Sequence, residues 1–239
     1  MSSELIRLDK FLASQNIGSR KEVTALVKKG AVKVDGKIIK QSDFKFAASE
    51  NIVTVSGEEI EYHKYIYIMM NKPTGVLSAT QDKKAKTVLD LLPPELSRRG
   101  LFPAGRLDKN TTGLLIITDD GNFAHEMLAP KKHVYKLYEA ITELPITERD
   151  IKAFETGVEE ANIKFAPAKL WTETHDSREC AMVMIREGKF HQVKRMFEAC
   201  NNKVIELKRL KIGKLELDVN LKEGEVRLLS KEEVASVFE

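Results

Sequence analysis

The stretch GRLDKNTTGLLIITDDG, residues 105–121, joins a charged loop to an apolar run and is the starting point for predicting the fold. Gly105 and Gly113 permit backbone torsions that other residues resist. Residues 114–117 are apolar and bounded by turn signals, which predicts a buried β-strand. The loop is therefore expected to hold the carboxylate of Asp108 on a rigid support at the mouth of a cleft.

The composition is typical of a folded protein with a sizeable core. The chain has 239 residues, of which 42% are hydrophobic, enough for one large domain or two smaller ones. No stretch approaches the roughly 20 apolar residues that span a bilayer, and the first residues lack a signal peptide's apolar segment. Cys180 and Cys200 are the only cysteines, too few for a disulfide framework. We therefore expect a cytoplasmic protein without membrane contact, with a monomer as the default state.

The positive charge is concentrated near the amino terminus. The net charge is +3, but residues 7–45 carry ten Lys/Arg and four Asp/Glu, so this segment has +6 and the remainder −3. A basic module joined to a nearly balanced one is typical of a nucleic-acid anchor attached to a second functional domain. From charge alone, a solvated helix face is the simpler interpretation.

The amino-terminal segment has a readable order of elements. Ser19 and Glu22 form a capping box that opens a second helix, and Asp35–Gly36 is the turn of a predicted hairpin over residues 32–39. A first helix is predicted from four apolar side chains at helical spacing: Leu5, Leu8, Phe11 and Leu12.

The rest of the chain mixes strands and helices irregularly, which favours an α+β domain over a doubly wound one. A charged stretch at residues 58–64 predicts a boundary between domains 1–60 and 61–239. Helices are predicted at 122–128, 147–156, 190–200 and from Ser230 onward. Strands are predicted at 65–70, 135–141, 169–174, 179–185, 204–208, 215–217 and 226–229, with a turn at 175–178 between two of them.

Metal binding and hydrolase chemistry are disfavoured. Asp108, Asn110 and Gly113 fall at three positions of a calcium-binding loop, but Thr112 and Asp119 occupy positions that need other ligands. The histidines show no zinc spacing, and no nucleophile elbow or phosphate-binding loop is present. His191 alone is interpreted as a surface or helix-end residue. We therefore predict no metal.

Several motifs together resemble a known enzyme family. The stretches NKPTGVLSAT, PAGRLDKNTTGLLIITDDG, KLY and EGKFHQVKRMF resemble the pseudouridine synthases of the RsuA family, which act on small-subunit ribosomal RNA. RLDKFLASQNIGSR and GAVKVDGKIIK resemble the amino-terminal alpha-L RNA-binding domain of that family. The resemblance implies a catalytic domain with a mixed, largely antiparallel sheet and flanking helices. It also implies isomerisation of uridine to pseudouridine without a cofactor.

The resemblance assigns roles to individual residues. Asp108 matches the catalytic aspartate, although sequence does not decide whether it attacks the sugar, attacks the base or removes a ribose proton. Tyr138 matches a tyrosine that stacks on the flipped base, and Lys194 a basic residue that pairs with the aspartate. Lys194 stands where much of the superfamily has arginine, and lysine cannot form the same forked pair. Arg106 matches a residue that fills the space left when the uridine flips out of the RNA.

The resemblance also implies RNA contacts and a target. Phosphate contacts are expected from five residues of the amino-terminal domain: Arg7, Lys10, Arg20, Lys21 and Lys28. The phrase DKNTTGLLIITDDG, with the run containing His133, Lys136 and Tyr138 and with HQVKRM, favours 16S ribosomal RNA, within or outside an assembling small subunit. Two alternatives stay open: a relative acting on 23S RNA, and a non-catalytic RNA-binding or ribosome-assembly protein that keeps the fold.

Overall fold

The structure, a computed structural model, describes residues 5–98, 100–175 and 178–239. Two compact units can be distinguished. The first consists of the described residues up to Tyr65 together with those in Leu92–Gly100, and the second of Ile66–Leu91 and Leu101–Glu239.

The first unit combines two helices with short strands. The amino-terminal capping box is confirmed, because Ser19 and Glu22 bond to each other's backbone amides. The predicted hairpin is also confirmed, and its turn residues Asp35 and Gly36 have φ angles of 48° and 76°, as a tight two-residue hairpin turn requires. The elements are β1 (Leu5–Arg7), α1 (Leu8–Ser14), α2 (Arg20–Lys28), β2 (Val32–Val34), β3 (Lys37–Ile38), β4 (Lys45–Ala47), β5 (Val53–Val55) and β6 (Glu58–Glu59).

One prediction for this unit is wrong. Leu5 does not belong to the first helix but to β1, which pairs with β4, and its side chain is exposed. Leu8, Phe11 and Leu12 do lie on α1 and are buried, as the spacing predicted. Leu5 follows the helical spacing by coincidence, since a single apolar residue at the end of a periodic pattern cannot separate a helix from a flanking strand.

The second unit contains the long strands. Its elements are β7 (Tyr67–Lys72), β8 (Phe102–Ala104), β9 (Thr112–Thr118), α3 (Gly121–Leu128), β10 (Lys136–Thr142), α4 (Glu148–Thr156), β11 (Glu159–Glu160), β12 (Ile163–Lys164), β13 (Lys169–His175), β14 (Arg178–Ile185), α5 (Gln192–Ala199), β15 (Val204–Ile212), β16 (Leu215–Glu216), β17 (Val226–Leu228) and α6 (Lys231–Ser236). Short 3₁₀ turns lie at Val88–Leu91 and Pro130–Lys132, and a further one, Pro94–Leu96, belongs to the first unit.

β11 and β12 form a separate two-stranded sheet. The other strands form one mixed sheet in the order β13-β14-β10-β15-β9-β7-β17, with β16 beside β15 and β8 beside β9. Among the described strands of this sheet, β9 and β15 pair in parallel and the other pairs are antiparallel. The predicted α+β fold with a mixed, largely antiparallel sheet is therefore confirmed.

The sheet register brings distant parts of the chain together. On β15, Arg209 lies opposite Tyr138 of β10 on one side and opposite Gly113 of β9 on the other. Gly113 has a φ of 95°, and a Cβ atom built there would lie 2.3 Å from the carbonyl oxygen of Arg209. Only glycine fits this position, so the prediction of an unusual backbone at Gly113 is confirmed.

The helix predicted at residues 190–200 is shorter in the structure. It runs over Gln192–Ala199, and His191 precedes it with a left-handed backbone, φ 51°. Phe190 therefore does not pack as a helical residue, and its side chain is 74% exposed.

The predicted pairing of residues 169–174 with 179–185 is confirmed by the ladder between β13 and β14. The turn predicted between them falls partly on residues 176 and 177, which lie outside the described residues.

Within the part of the chain that the structure describes, no helix combines the length and apolar character that crossing a membrane would need.

Candidate active site

The loop that carries Asp108 connects β8 to β9 and is anchored by several hydrogen bonds. Ser78 donates its hydroxyl to the carbonyl of Leu107, 2.8 Å away, and accepts from the Leu107 N–H at 3.1 Å. The Thr111 N–H donates to the carbonyl of Asp108 at 3.1 Å. These bonds close the loop into a turn and fix the backbone on both sides of the Asp108 side chain.

Lys72 also anchors this loop by hydrogen bonds. Its buried ammonium group donates to the carbonyl oxygens of Pro73, Lys109 and Thr111 at 2.9, 3.2 and 3.0 Å. Burial lowers the pKa of Lys72 to about 8, against a smaller opposing effect from the charge of Asp108. Lys72, in the NKPTG stretch, thus anchors the segment that follows Asp108 through hydrogen bonds to backbone carbonyl groups.

Asp108 has two basic neighbours from the α5 region. Lys194 Nζ lies 3.4 Å from Oδ2 of Asp108, and His191 Nε2 lies 3.5 Å from Oδ1. The side chain of Asp108 is 29% exposed, so a molecule entering from solvent can reach the carboxylate. The carboxylate thus lies within 3.5 Å of two basic side chains and is open to a substrate on one side.

Tyr138 is buried beside a second basic group. The guanidinium of Arg209 lies 6.0 Å from the centre of the Tyr138 ring, and its Nη1 donates to the phenol oxygen at 3.4 Å. The same guanidinium donates to the carbonyl oxygens of Gly105 at 2.7 Å and Leu114 at 2.8 Å. Arg209 therefore ties Tyr138 to both ends of the segment that carries Asp108.

A cleft opens at this point of the second unit. The empty space within it, including the part open to solvent, is about 410 Å³. Arg106, Asp108 and Tyr138, three of the residues singled out from the sequence, line it together. The other lining residues are Leu107, Thr111, Ile185, Gly188, Lys189, His191, Gln192, Val193 and Leu207. Lys194 reaches the site through its ion pair with Asp108.

The start of α5 is held rigidly against the cleft. The buried Gln192 accepts from the Lys189 N–H at 3.0 Å and donates to Glu187 at 2.8 Å. Phe190 stacks on His191 with the ring centres 3.7 Å apart and the planes inclined by 19°. The left-handed turn at His191 thus places an exposed aromatic pair next to Asp108.

The basic residues predicted to contact RNA all belong to the first unit. Lys10, Arg20, Lys21 and Lys28 are exposed on or beside the two helices. Arg7 is also exposed, but its guanidinium is engaged with Asp9, with Nη2 2.7 Å from Oδ2. These four side chains are therefore presented to solvent, whereas Arg7 shares its charge with Asp9.

Sequence reasoning missed three members of the site. His191 was interpreted as a surface or helix-end residue; it does precede α5, yet its ring also faces Asp108. Arg209 lay outside the motifs, and Ser78 lay within NKPTGVLSAT but was given no role. A cationic residue alternating with apolar ones on a predicted strand, as in the run RLKIG, was the available signal for Arg209.

Among the described residues, no group of three or more His, Cys, Asp or Glu side chains is placed to hold a metal ion. What the site offers instead is the carboxylate of Asp108, the ammonium group of Lys194, the imidazole of His191 and a tyrosine around a cleft.

Comparisons with known proteins identify the family. The profile of the family described as RNA pseudouridylate synthase matches residues 66–199, and that of the S4 domain matches residues 6–52. The chain belongs to the RNA pseudouridylate synthase family. It is accordingly an RNA-modifying isomerase with an amino-terminal S4 domain, as the sequence motifs predicted.

Relatives that match nearly the whole chain show which branch of the pseudouridine synthases it is similar to. An uncharacterised RNA pseudouridine synthase of Bacillus subtilis, YtzG, is 50% identical over 96% of this chain and 97% of its own. The ribosomal small subunit pseudouridine synthase A of Vibrio cholerae is 42% identical over 98% of this chain and 100% of its own. The predicted resemblance to the RsuA family is therefore confirmed.

A solved structure shows the same fold. A crystal structure of a pseudouridylate synthase superposes with a TM-score of 0.64 and 34% sequence identity, covering 97% of this chain and 99% of the other. The likeness to this pseudouridylate synthase thus extends over nearly the whole length of both chains.

Proposed function

We propose that this pseudouridine synthase isomerises a uridine of 16S ribosomal RNA, with Asp108 as the catalytic carboxylate. The observation that carries the proposal is the placement of Asp108 in the cleft, 3.4 Å from Lys194 and beside Tyr138. The choice of 16S RNA is supported by the relative from Vibrio cholerae, which is named a ribosomal small subunit pseudouridine synthase.

The reaction is an isomerisation that requires no net gain or loss of atoms. The bond between N1 of uracil and C1′ of ribose breaks, the uracil turns, and a bond forms between C5 and C1′. C5 then loses its proton and N1 gains one, so the atoms balance. A carboxylate held in a cleft can take part in this chemistry, while Lys194 stabilises its negative charge. Closing RNA over the cleft keeps water away from the broken bond.

The substrate uridine has to leave the RNA stack to reach Asp108, at a cost of a few kcal/mol. In our proposal Tyr138 stacks on the flipped base, an interaction worth roughly 1 to 3 kcal/mol per base. Arg106, exposed at the cleft, fills the space that the uridine leaves. Both contributions offset the cost of flipping.

Domain 1–60 anchors the RNA in this proposal, and domain 61–239 carries out catalysis. Phosphate contacts come from Arg7, Lys10, Arg20, Lys21 and Lys28, whose charges attract any RNA regardless of sequence. A monomer acting on ribosomal RNA in the cytoplasm, free or within an assembling small subunit, accounts for these features.

Mapping pseudouridines in ribosomal RNA tests the proposal. A strain lacking this protein is expected to lose one pseudouridine in 16S RNA, which returns with the wild-type chain and not with Asp108→Asn. Loss of a site in 23S RNA would replace the proposed target by the larger RNA. An unchanged pattern, or rescue by Asp108→Asn, would contradict catalysis and favour a binding or assembly role.

A further inference from the structure

Thr111 carries a buried hydroxyl group that the folded chain leaves unpaired. The residue is 2% exposed, and among the described residues Oγ1 has no hydrogen-bond partner. Two other fully buried threonines are paired: Thr87 donates to Asp90 at 3.0 Å, and Thr118 to the carbonyl of Ile66 at 2.7 Å. Buried polar groups in proteins are nearly always hydrogen-bonded, so an exception requires an explanation.

The position of Thr111 supplies that explanation. It lines the cleft together with Asp108 and Tyr138. Its N–H donates to the Asp108 carbonyl at 3.1 Å, and its own carbonyl accepts from Lys72 at 3.0 Å. Because the backbone is held on both sides, the hydroxyl has a fixed location three residues after the carboxylate.

We infer that the hydroxyl of Thr111 binds the uracil of the target uridine during the reaction. The inference rests on the proposed function and adds a substrate-binding residue to it. A hydroxyl can donate one hydrogen bond and accept others, and its hydrogen rotates freely. Uracil has two carbonyl oxygens and a ring N–H, and it presents a different edge after it turns. Such a group can pair with the base both before and after the turn.

The neighbouring Thr112 is a matched control, because it is the same residue type on the same backbone segment. Its hydroxyl donates to the carbonyl of Leu207 at 3.4 Å, so its bond is made inside the protein. Thr→Val replaces a hydroxyl by a methyl group of similar size at either position. Comparing the two variants therefore distinguishes a hydroxyl that binds the substrate from one that stabilises the folded protein.

Thermal unfolding tests the inference without any RNA. Thr111→Val is expected to have a Tm equal to or above that of the wild type, because an unpaired polar group is removed from the interior. Thr112→Val is expected to have a lower Tm. A Tm for Thr111→Val that falls as far as that of Thr112→Val would overturn the inference, because the Thr111 hydroxyl would then be stabilising the free protein.

Steady-state kinetics supply the second test. The wild type is assayed on 16S and 23S transcripts, and the variants on the RNA that it converts, so a wrong target is recognised from the wild type alone. Thr111→Val is expected to lower kcat/KM about 10-fold, the usual effect of losing one neutral hydrogen bond to a substrate. Thr111→Ser and Thr112→Val are expected to stay within about threefold. Thr111→Val with wild-type kcat/KM would overturn the inference.

Discussion

Lys194 Nζ lies 3.4 Å from Oδ2 of Asp108, and the two side chains are 25% and 29% exposed. The pair is accessible enough to be screened by water, so its effect on stability is small. Its effect on the reaction is larger, because bound RNA excludes water and strengthens the attraction between the charges.

Lys194→Met is therefore expected to lower the single-turnover rate constant roughly 10- to 100-fold, with a change in Tm of a few degrees at most. Lys194→Arg keeps the charge and is expected to retain more activity than Lys194→Met. Rapid-quench measurement of pseudouridine formation with saturating enzyme checks both. Equal rates for Lys194→Met and the wild type would show that the ion pair does not support catalysis.

Arg209 connects Tyr138 to Gly105 and Leu114, which lie at the two ends of the Asp108 segment. Arg209→Lys loses the forked geometry, because a lysine is a point donor and cannot reach three partners in a plane. We expect a rate loss of at least about 10-fold, since misplacement by about 1 Å can cost 100-fold. The expected change lies mainly in kcat, because the bound base is misaligned and not released.

The matched control for this change is Arg227→Lys. Arg227 also forms a forked pair, with Glu233, and bonds Asp218, but it takes no part in the cleft. Its replacement is expected to lower Tm while leaving kcat within about twofold. If Arg227→Lys reduced kcat as strongly as Arg209→Lys, general destabilisation would explain both.

Lys136 predicts a specific dependence of stability on pH. Burial and, to a lesser extent, the neighbouring Arg209 lower the pKa of Lys136 to about 8 from 10.5. The unfolded chain then binds more protons than the folded chain between those values, so stability rises with pH in this window. Below pH 8 the cost of burying the charged lysine is fully present.

Removing this lysine should therefore remove part of the pH dependence. Relative to Lys136→Met, the wild type is expected to gain on the order of 2 kcal/mol in the free energy of unfolding from pH 8 to pH 10. Urea unfolding at several pH values measures the difference. Lys152→Met, at an exposed position, serves as the control and is expected to show no such trend. A constant difference between wild type and Lys136→Met would contradict the low pKa.

The exposed basic residues Arg20 and Lys21 predict salt-dependent RNA binding. Each phosphate contact releases counterions, so affinity falls as salt rises. Arg20→Ala/Lys21→Ala is expected to weaken RNA binding. It is also expected to reduce the slope of log affinity against log salt concentration by the equivalent of about two phosphate contacts. The control Arg149→Ala/Lys152→Ala removes two exposed charges from α4. RNA affinity that does not change between low and moderate salt would count against these contacts.

Local features of the fold could be predicted from the sequence. The capping box predicted at Ser19 is present, and the helices predicted to begin at Thr147 and Ser230 do begin there, each with a capping box of its own. A capping box depends on two side chains only three residues apart. The unusual backbone conformation of Gly113 was predicted from backbone sterics, and the strand over residues 114–117 was predicted from apolar patterning. Such features need no knowledge of distant parts of the chain.

Features that depend on distant pairing could not be predicted in the same way. Arg209 reaches Leu114 only because β15 pairs with β9, and the residues are 95 positions apart in the chain. His191 faces Asp108 because its backbone is left-handed, a conformation that a non-glycine residue adopts rarely. Asp108 was singled out by its glycine-bounded loop, whereas Tyr138 and Lys194 were singled out through family motifs.

The measurement that tests the central claim most directly is pseudouridine formation by Asp108→Asn on the RNA that the wild type converts. The amide keeps the size of the side chain but removes its charge. We expect no detectable product, with RNA affinity and Tm close to wild type. Asp82→Asn, an exposed aspartate of the same unit, is expected to retain full activity. Product formed by Asp108→Asn at a rate near that of the wild type would contradict the assignment of Asp108 as the catalytic carboxylate.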